Sequence, residues 1–325
     1  MPVANSVSKT SIQPRINPAF TQYPGQVYIW TGGSYYLSAP DGGGHIDDTA
    51  IQTEIQYAPG RLIGDWLKFT LWHDFAGHVA FQTSGGNFVT AVSGGGRKSD
   101  VIHTDATDIA AWEEFQIAEL QTVYLSIQTA SKNFLTAVGG GRQLTDAIHS
   151  DAVTVSGWEA FSLKKAGDLG SRLQYLIVPV LDGSLSGYPI FANNGGNLTQ
   201  NTLSYYTDTY TPSNWARFTL IQQPNGSYGV QTATSNYLTA VNGGGLDFGT
   251  PTSDNIQTNR TAVEAWEQFR FIEIGDSTYA IQTVDGHYLG LHPVGQGDND
   301  EGRFSTNISD INAALKFWLV PATFF

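Results

Sequence analysis

The chain has 325 residues, a formal net charge of −13, a pI near 4.7 and no cysteine. It is long enough for two domains with proper cores. Its 16 Lys and Arg form no stripe, which excludes the basic footprint of nucleic-acid binders and disfavours anionic membrane surfaces. Without cysteine there is no disulfide framework, thiolate nucleophile or Cys-based zinc site.

Residues 1–22 hold Pro and Ser and lack an apolar h-region, so they read as an extended N-terminal arm rather than a signal peptide. The arm leaves a homodimer open. No stretch approaches a membrane span, so no membrane insertion is expected. The expected location is cytoplasmic, or outside the cell by release without a visible signal peptide.

Beyond the arm the chain repeats itself. Residues 87–115 (NFVTAVSGGGRKSDVIHTDATDIAAWEEF) and 133–161 (NFLTAVGGGRQLTDAIHSDAVTVSGWEAF) are near-copies with an offset of 46. A weaker copy opens with NYLTAVNGGG at Asn236 and closes in AWEQF at Phe269. The Trp-x-x-Phe ending recurs at Trp66/Phe69, Trp112/Phe115, Trp158/Phe161, Trp215/Phe218 and Trp266/Phe269, and Ala314/Phe317 ends a sixth copy. Successive Trp positions are 46, 46, 57, 51 and 48 residues apart. The long gap holds KKAGDLGSR (164–172), whose charge and glycine mark a joint. Six units of about 50 residues in two sets of three follow, with domains expected over residues 23–166 and 171–325.

Within a unit the apolar residues alternate, as in Tyr124-Leu125-Ser126-Ile127-Gln128. Period two, with turns rich in Gly, Asn and Ser, predicts short strands and hairpins, four strands to a unit. The chain is therefore all-β. Runs of three glycines at 42–44, 94–96, 139–141 and 243–245 predict turns with φ > 0 or close backbone approach. No helix follows them to complete a phosphate cradle.

Three sets of residues are candidates for chemistry. Glu113, Glu159 and Glu267 follow the repeat Trp directly, and equivalent acids in separate units suggest acceptors for backbone amides rather than a catalytic pair. Trp112, Trp158 and Trp266 fit two readings, a packing anchor beside the core Phe or a platform for a sugar ring. A polar cluster recurs as Asn87 with His103 and Asp105, Asn133 with His149 and Asp151, and Asn236 with Gln257 and Asn259. Tyr206-Thr207-Asp208 is a fainter form. Such side chains supply donors and acceptors for vicinal hydroxyls, or turn residues that bond their own backbone. The change from His-Asp to Gln-Asn keeps hydrogen bonding and drops charge, which suits hydroxyls better than a metal. The acidic loop 298–302 lacks the calcium-loop pattern. No metal site and no cofactor are expected.

The composite NYLTAVNGGG…HTDA…WEEF resembles the repeats of fascin-like (actin-cross-linking type) β-trefoil domains, in the glycine-rich form found beside sugar-active proteins. The resemblance spans roughly residues 26–325 and implies two tandem β-trefoil domains; a six-bladed β-propeller also satisfies the unit count. The function it favours is a non-enzymatic, multivalent carbohydrate-binding protein (a lectin) whose partners are glycans or polysaccharide. A fascin-type cross-linker, the receptor-binding part of a toxin, and a glycan-active enzyme with an interdomain cleft are the alternatives. The thin basic content argues against the actin role.

Overall fold

A computed structural model describes residues 17–56, 64–74, 76–120, 123–181, 188–205, 214–247, 254–275, 277–291 and 304–322. Every regular element in them is a strand or a three-residue 3₁₀ turn. None is a helix long and apolar enough to cross a membrane. Tyr206-Thr207-Asp208 and the loop 298–302 lie outside the described residues, as does most of the expected arm.

Strands Gln26–Thr31, Lys68–His73, His78–Gln82, Phe115–Glu119, Leu125–Gln128 and Phe161–Ala166 pair in that order, and the last pairs with the first. The result is a closed six-stranded antiparallel barrel. Leu173–Val180, Arg217–Gln222, Tyr228–Gln231, Gln268–Gly275, Thr278–Gln282 and Lys316–Pro321 close a second barrel in the same way. Closure leaves neither barrel with an open edge. Two barrels, rather than six separate radial sheets, rule out the propeller.

Three hairpins accompany each barrel, the arrangement of a trefoil-type fold. In the first they are the bridged loop Tyr35–Gln56, then Phe88–Ala91 with Ile102–Ala106, then Phe134–Ala137 with Ile148–Ala152. In the second they are Ile190–Ala192 with Leu203–Tyr205, Tyr237–Ala240 with Ile256–Arg260, and Tyr288–Leu291 with Phe304–Ile308. Strand alternation sends every second side chain inward. The first core is accordingly built of matched triplets such as Ile29, Phe81 and Ile127, or Ile51, Ile102 and Ile148.

The barrels meet along their first and last strands. Outward residues Tyr28 and Trp30 of one, and Leu176, Val178, Trp318 and Val320 of the other, form one buried cluster. The Arg217 guanidinium crosses to donate to Glu119 at 2.8 Å. Lys164 and Lys165, read as part of a charged joint, are instead buried in the strand Phe161–Ala166. Alternation splits them. Lys164 turns toward Trp30 and Trp318, while Lys165 donates to the carbonyls of Pro24 (2.6 Å) and Ala166 (3.0 Å). Near the start of the described chain, Thr21–Gln22 pairs with Trp72 and His73, and Phe20 is buried.

Candidate functional site

The glycine runs stitch neighbouring hairpins together. After Ala91 the chain makes a tight turn at Val92–Gly94, with Ser93 at φ 58°, and continues through Gly95 at φ 104°. The Gly96 amide then donates to the Ser150 carbonyl at 2.7 Å, and the Arg97 amide to the Ser150 hydroxyl at 3.2 Å. The same contact joins Gly44 and His45 to Thr104, and Arg142 and Gln143 to Thr53. Together they make a closed ring of three around the first barrel. In the second barrel Asn197 and Leu198 meet Thr258, while Gly245 and Leu246 meet Thr306. The recurrent Thr or Ser of the polar pair is thus a buried staple between hairpins. These turn amides bond protein carbonyls and hydroxyls, so they do not form a phosphate cradle.

The expected polar clusters separate into local pairings. The Asn87 amide donates to the Asp105 carbonyl at 3.2 Å, and Asn133 to the Asp151 carbonyl at 3.3 Å. His103 pairs through Nε2 with Asp100 (2.7 Å), and His149 with Asp146 (3.1 Å), not with Asp105 and Asp151. Asp100 and Asp146 adopt φ 50°, which turns the chain so that each carboxylate meets the histidine three residues on. Asp105 is exposed, and Asp151 lies 3.4 Å from Lys98. Asn236 is buried and accepts from the Thr234 hydroxyl at 3.0 Å. Gln257 stands opposite Thr239, and Asn259 has its side-chain oxygen buried. These partners draw each cluster apart, and none of the pairings involves a repeat tryptophan.

The three repeat glutamates are buried and fully occupied. Glu113 accepts from the Thr90 hydroxyl (2.6 Å) and the Ala110 amide (3.0 Å). Glu159 accepts likewise from Thr136 and Ser156, and Glu267 from Thr239 and the Glu264 amide. Burial works against the charged form of Glu159, but the hydrogen bonds from Ser156 and Thr136 outweigh it and hold the pKa below the usual value. The Thr of the Leu/Val-Thr-Ala-Val motif is therefore the partner of the Glu after Trp. That pairing was visible in the repeat, since both residues recur together, and sequence reasoning missed it.

The tryptophans correct the packing-anchor reading. Trp66, Trp112, Trp158, Trp215 and Trp266 are 41–54% exposed, while the Phe three residues later is 0–1% exposed in each case. The Phe is the core anchor. Each Trp sits on the turn just before the strand, its backbone fixed where its carbonyl accepts the amide of Ala39, Ala91 or Ala137 in the first barrel. A Cβ on Gly94, Gly140, Gly195 or Gly243 would touch the indole edge of Trp112, Trp158, Trp215 or Trp266 at 3.2–3.7 Å. The absence of a side chain at these four glycines therefore leaves room for the pyrrole edge of each of these four rings, which stay about half exposed. Hairpin tips of the following segment bond the same turns, as where Ser131 donates to the Gly94 carbonyl and Thr234 to that of Gly195. Of the tryptophans outside the repeat, Trp30 and Trp318 lie between the barrels, and Trp72 donates to Gln82 at 3.0 Å.

No group of three or more His, Asp or Glu side chains among the described residues is placed to hold a metal. No family model and no curated protein matches the chain. Among solved structures it is similar to a mosquitocidal holotoxin, at 11% identity and a TM-score of 0.37 over 91% of this chain and 34% of that one. The chain thus spans about a third of the holotoxin's length. It is also similar to a designed three-fold symmetric protein, ThreeFoil (11% identity, TM-score 0.35, 42% of this chain and 96% of that one). A third likeness is to the SDF2-like protein from Arabidopsis thaliana (9%, 0.35, 46% and 92%). The fold assignment rests on the strand pairing itself.

Proposed function

We propose that the chain is a non-catalytic carbohydrate-binding protein offering several weak, shallow sugar sites on those units of a six-unit tandem array that carry an exposed tryptophan. The observation that supports it is the set of five half-exposed indoles at equivalent positions, each on a turn before a core strand and four of them backed by a glycine. An indole face stacks on the C–H side of a pyranose, and its edge N–H can donate to a hydroxyl. A surface that needs little ordering of such rings suits a weak, repeated ligand. The fascin-like resemblance of the NYLTAVNGGG and WEEF motifs belongs to the same reading.

The lack of convergence around His103 and His149 moves the weight of the site toward Trp112, Trp158 and Trp266. The glutamates are occupied by threonine and backbone amides, which supports a binding rather than a hydrolytic role. The barrels share a buried interface, so their sites stand at fixed spacing. A polymeric glycan that spans two of them gains avidity of about 10²–10⁴ over one site.

The test is a glycan array with the wild-type chain, the Trp112→Ala/Trp158→Ala double variant and the His103→Ala/His149→Ala double variant. Selective binding lost only in the Trp pair supports the reading as stated. Binding lost only in the His pair moves the sites to the polar clusters. A blank array for the folded wild type sinks the sugar reading.

A further inference from the structure

Five hairpin tips of the two barrels are built alike. In each, a Thr amide donates to the carbonyl four residues on: Thr31 to Tyr35, Thr83 to Asn87, Thr129 to Asn133, Thr232 to Asn236 and Thr283 to His287. In four of them the amide two residues after that Thr reaches the glycine turn of the segment before. Gly85 donates to Gly42, Ser131 to Gly94, Thr234 to Gly195 and Asp285 to Gly243. An exposed tryptophan such as Trp112 or Trp266 therefore stands at a junction, its ring supplied by one segment and its neighbour by the next.

The residue directly after the Thr varies from tip to tip: Gly32, Ser84, Ala130, Ala233 and Val284. Among these junctions only that of Trp266 carries a β-branched apolar residue, and Val284 is 49% exposed beside an indole that is 41% exposed. A Cβ on Gly243 would lie 3.3 Å from Val284 Cγ1 and 3.6 Å from both Cδ1 and Nε1 of Trp266. The valine methyl and the pyrrole edge thus come together over one glycine and make a joint apolar patch. Asp285, the next residue of the tip, is engaged by the Thr283 hydroxyl at 2.6 Å and by His287 at 3.2 Å. The corresponding point over Gly94 has Trp112 Cδ1 at 3.5 Å, but beside it only the Ser131 hydroxyl and the Ala130 methyl. Over Gly140 the neighbouring segment brings nothing but the Cα of Gly33.

We propose, with the sugar reading as the basis, that Val284 is the specificity-determining residue of the Trp266 site. Its ligand is a pyranose bearing a methyl group, as an acetamido substituent or a 6-deoxy carbon. The rim of an ordinary hexose is made of hydroxyls, and one pressed on Val284 loses water without gaining a partner. A methyl there removes apolar surface from water on both sides. The tip of the following segment would then set the preference of each site, while the tryptophan supplies the common platform.

The test uses the full chain labelled with 5-fluorotryptophan, the Trp266 resonance being assigned from Trp266→Phe. Glucose and galactose are titrated, each beside its 2-acetamido-2-deoxy and 6-deoxy forms. The Trp266 resonance is expected to respond at about fourfold lower concentration to a methyl-bearing form than to its parent hexose, the worth of one buried methyl group. Which form does so names the substituent. Val284→Ser, at a half-exposed position, should abolish that ranking while the parent hexose still shifts the resonance. Ala130→Val places a similar side chain beside Trp112 and should confer the ranking on that resonance. An equal response of Trp266 to parent and methyl-bearing sugars, or a preference that survives Val284→Ser, overturns the proposal and leaves the sugar reading standing. So does the same preference at every tryptophan of the wild-type chain. No shift of any tryptophan resonance with any of the sugars removes the proposal and the sugar reading together.

Discussion

The ammonium nitrogen of Lys164 lies 3.6 Å from the ring centroid of Trp318 and 4.8 Å from that of Trp30. The lysine belongs to the first barrel and Trp318 to the second, so this contact bridges the interface. Aromatic faces attract a cation, yet burial pushes the Lys164 amine well below its usual 10.5. Burial likewise pushes Lys165 down to about 7, against the pull of Asp168 and Glu273.

A lysine with a lowered folded pKa binds fewer protons folded than unfolded between its two pKa values, so stability rises with pH across that window. For Lys165 the window runs from about 7 to 10.5. Buried Tyr175 and Tyr279, raised by burial, work the other way above about pH 10. The melting temperature should therefore climb from pH 7 to about pH 9.5. Lys164→Met fills similar space without a charge, and should raise stability at pH 7 by about 1–4 kcal/mol while flattening the slope. Thermal melts from pH 6 to 9.5 check both, and an unchanged slope in the variant counts against the assignment.

Glu159 carries the opposite sign. Its lowered pKa gives stability that is present above the unfolded value of 4.5 and is lost as pH falls through the folded one. Glu159→Ala strands the Thr136 hydroxyl and the Ser156 amide, at a cost of about 1–3 kcal/mol near pH 7. Urea denaturation at pH 7 and pH 3 should show the gap between variant and wild type narrowing at the lower pH.

Gly95 adopts φ 104°, and a Cβ there would collide with the Thr129 side chain. Gly95→Ala should cost about 2–5 kcal/mol from backbone strain and overpacking together. Gly44 has φ 93°, but a Cβ there would meet nothing within 4 Å, so its alanine variant should show only the strain. Adding Thr129→Ala to Gly95→Ala should recover part of the loss, and a double-mutant cycle reads the coupling. Additive losses would mean the collision is relieved some other way.

Trp158 and Phe161 differ in exposure, 54% against 0%. Phe161→Ala should therefore lose about 3–5 kcal/mol, and Trp158→Ala about 1 kcal/mol or less. If the sugar reading holds, only the Trp158 variant loses glycan retention at unchanged melting temperature. Equal destabilisation by both would return Trp158 to the core.

The repeat, its strand periodicity and the glycine turns were legible because they are local patterns. The role of Trp66 and its equivalents was not. Trp-x-x-Phe places two apolar residues three apart, and spacing cannot say which one a turn leaves outside. Lys164-Lys165 looked like solvent-facing charge because their burial depends on a second barrel and on the Pro24 carbonyl, both distant in sequence. His103 was grouped in one polar cluster with Asn87 and Asp105, whereas the left-handed turn at Asp100 decides its partner. Staples such as Thr104 to His45 join segments 59 residues apart, and no short motif reports them.

Those staples give the first barrel a further property. The contacts His45 to Thr104, Arg97 to Ser150 and Gln143 to Thr53 run head to tail around a circle, and the last spans 90 residues in the direction opposite to the other two. A circle has no first member. The wreath can be cut in a turn between two staples and rejoined elsewhere with its contacts intact, whereas removing one segment opens it for all three. Folding of this barrel is accordingly expected to be all-or-none and slow to close, yet indifferent to where translation begins.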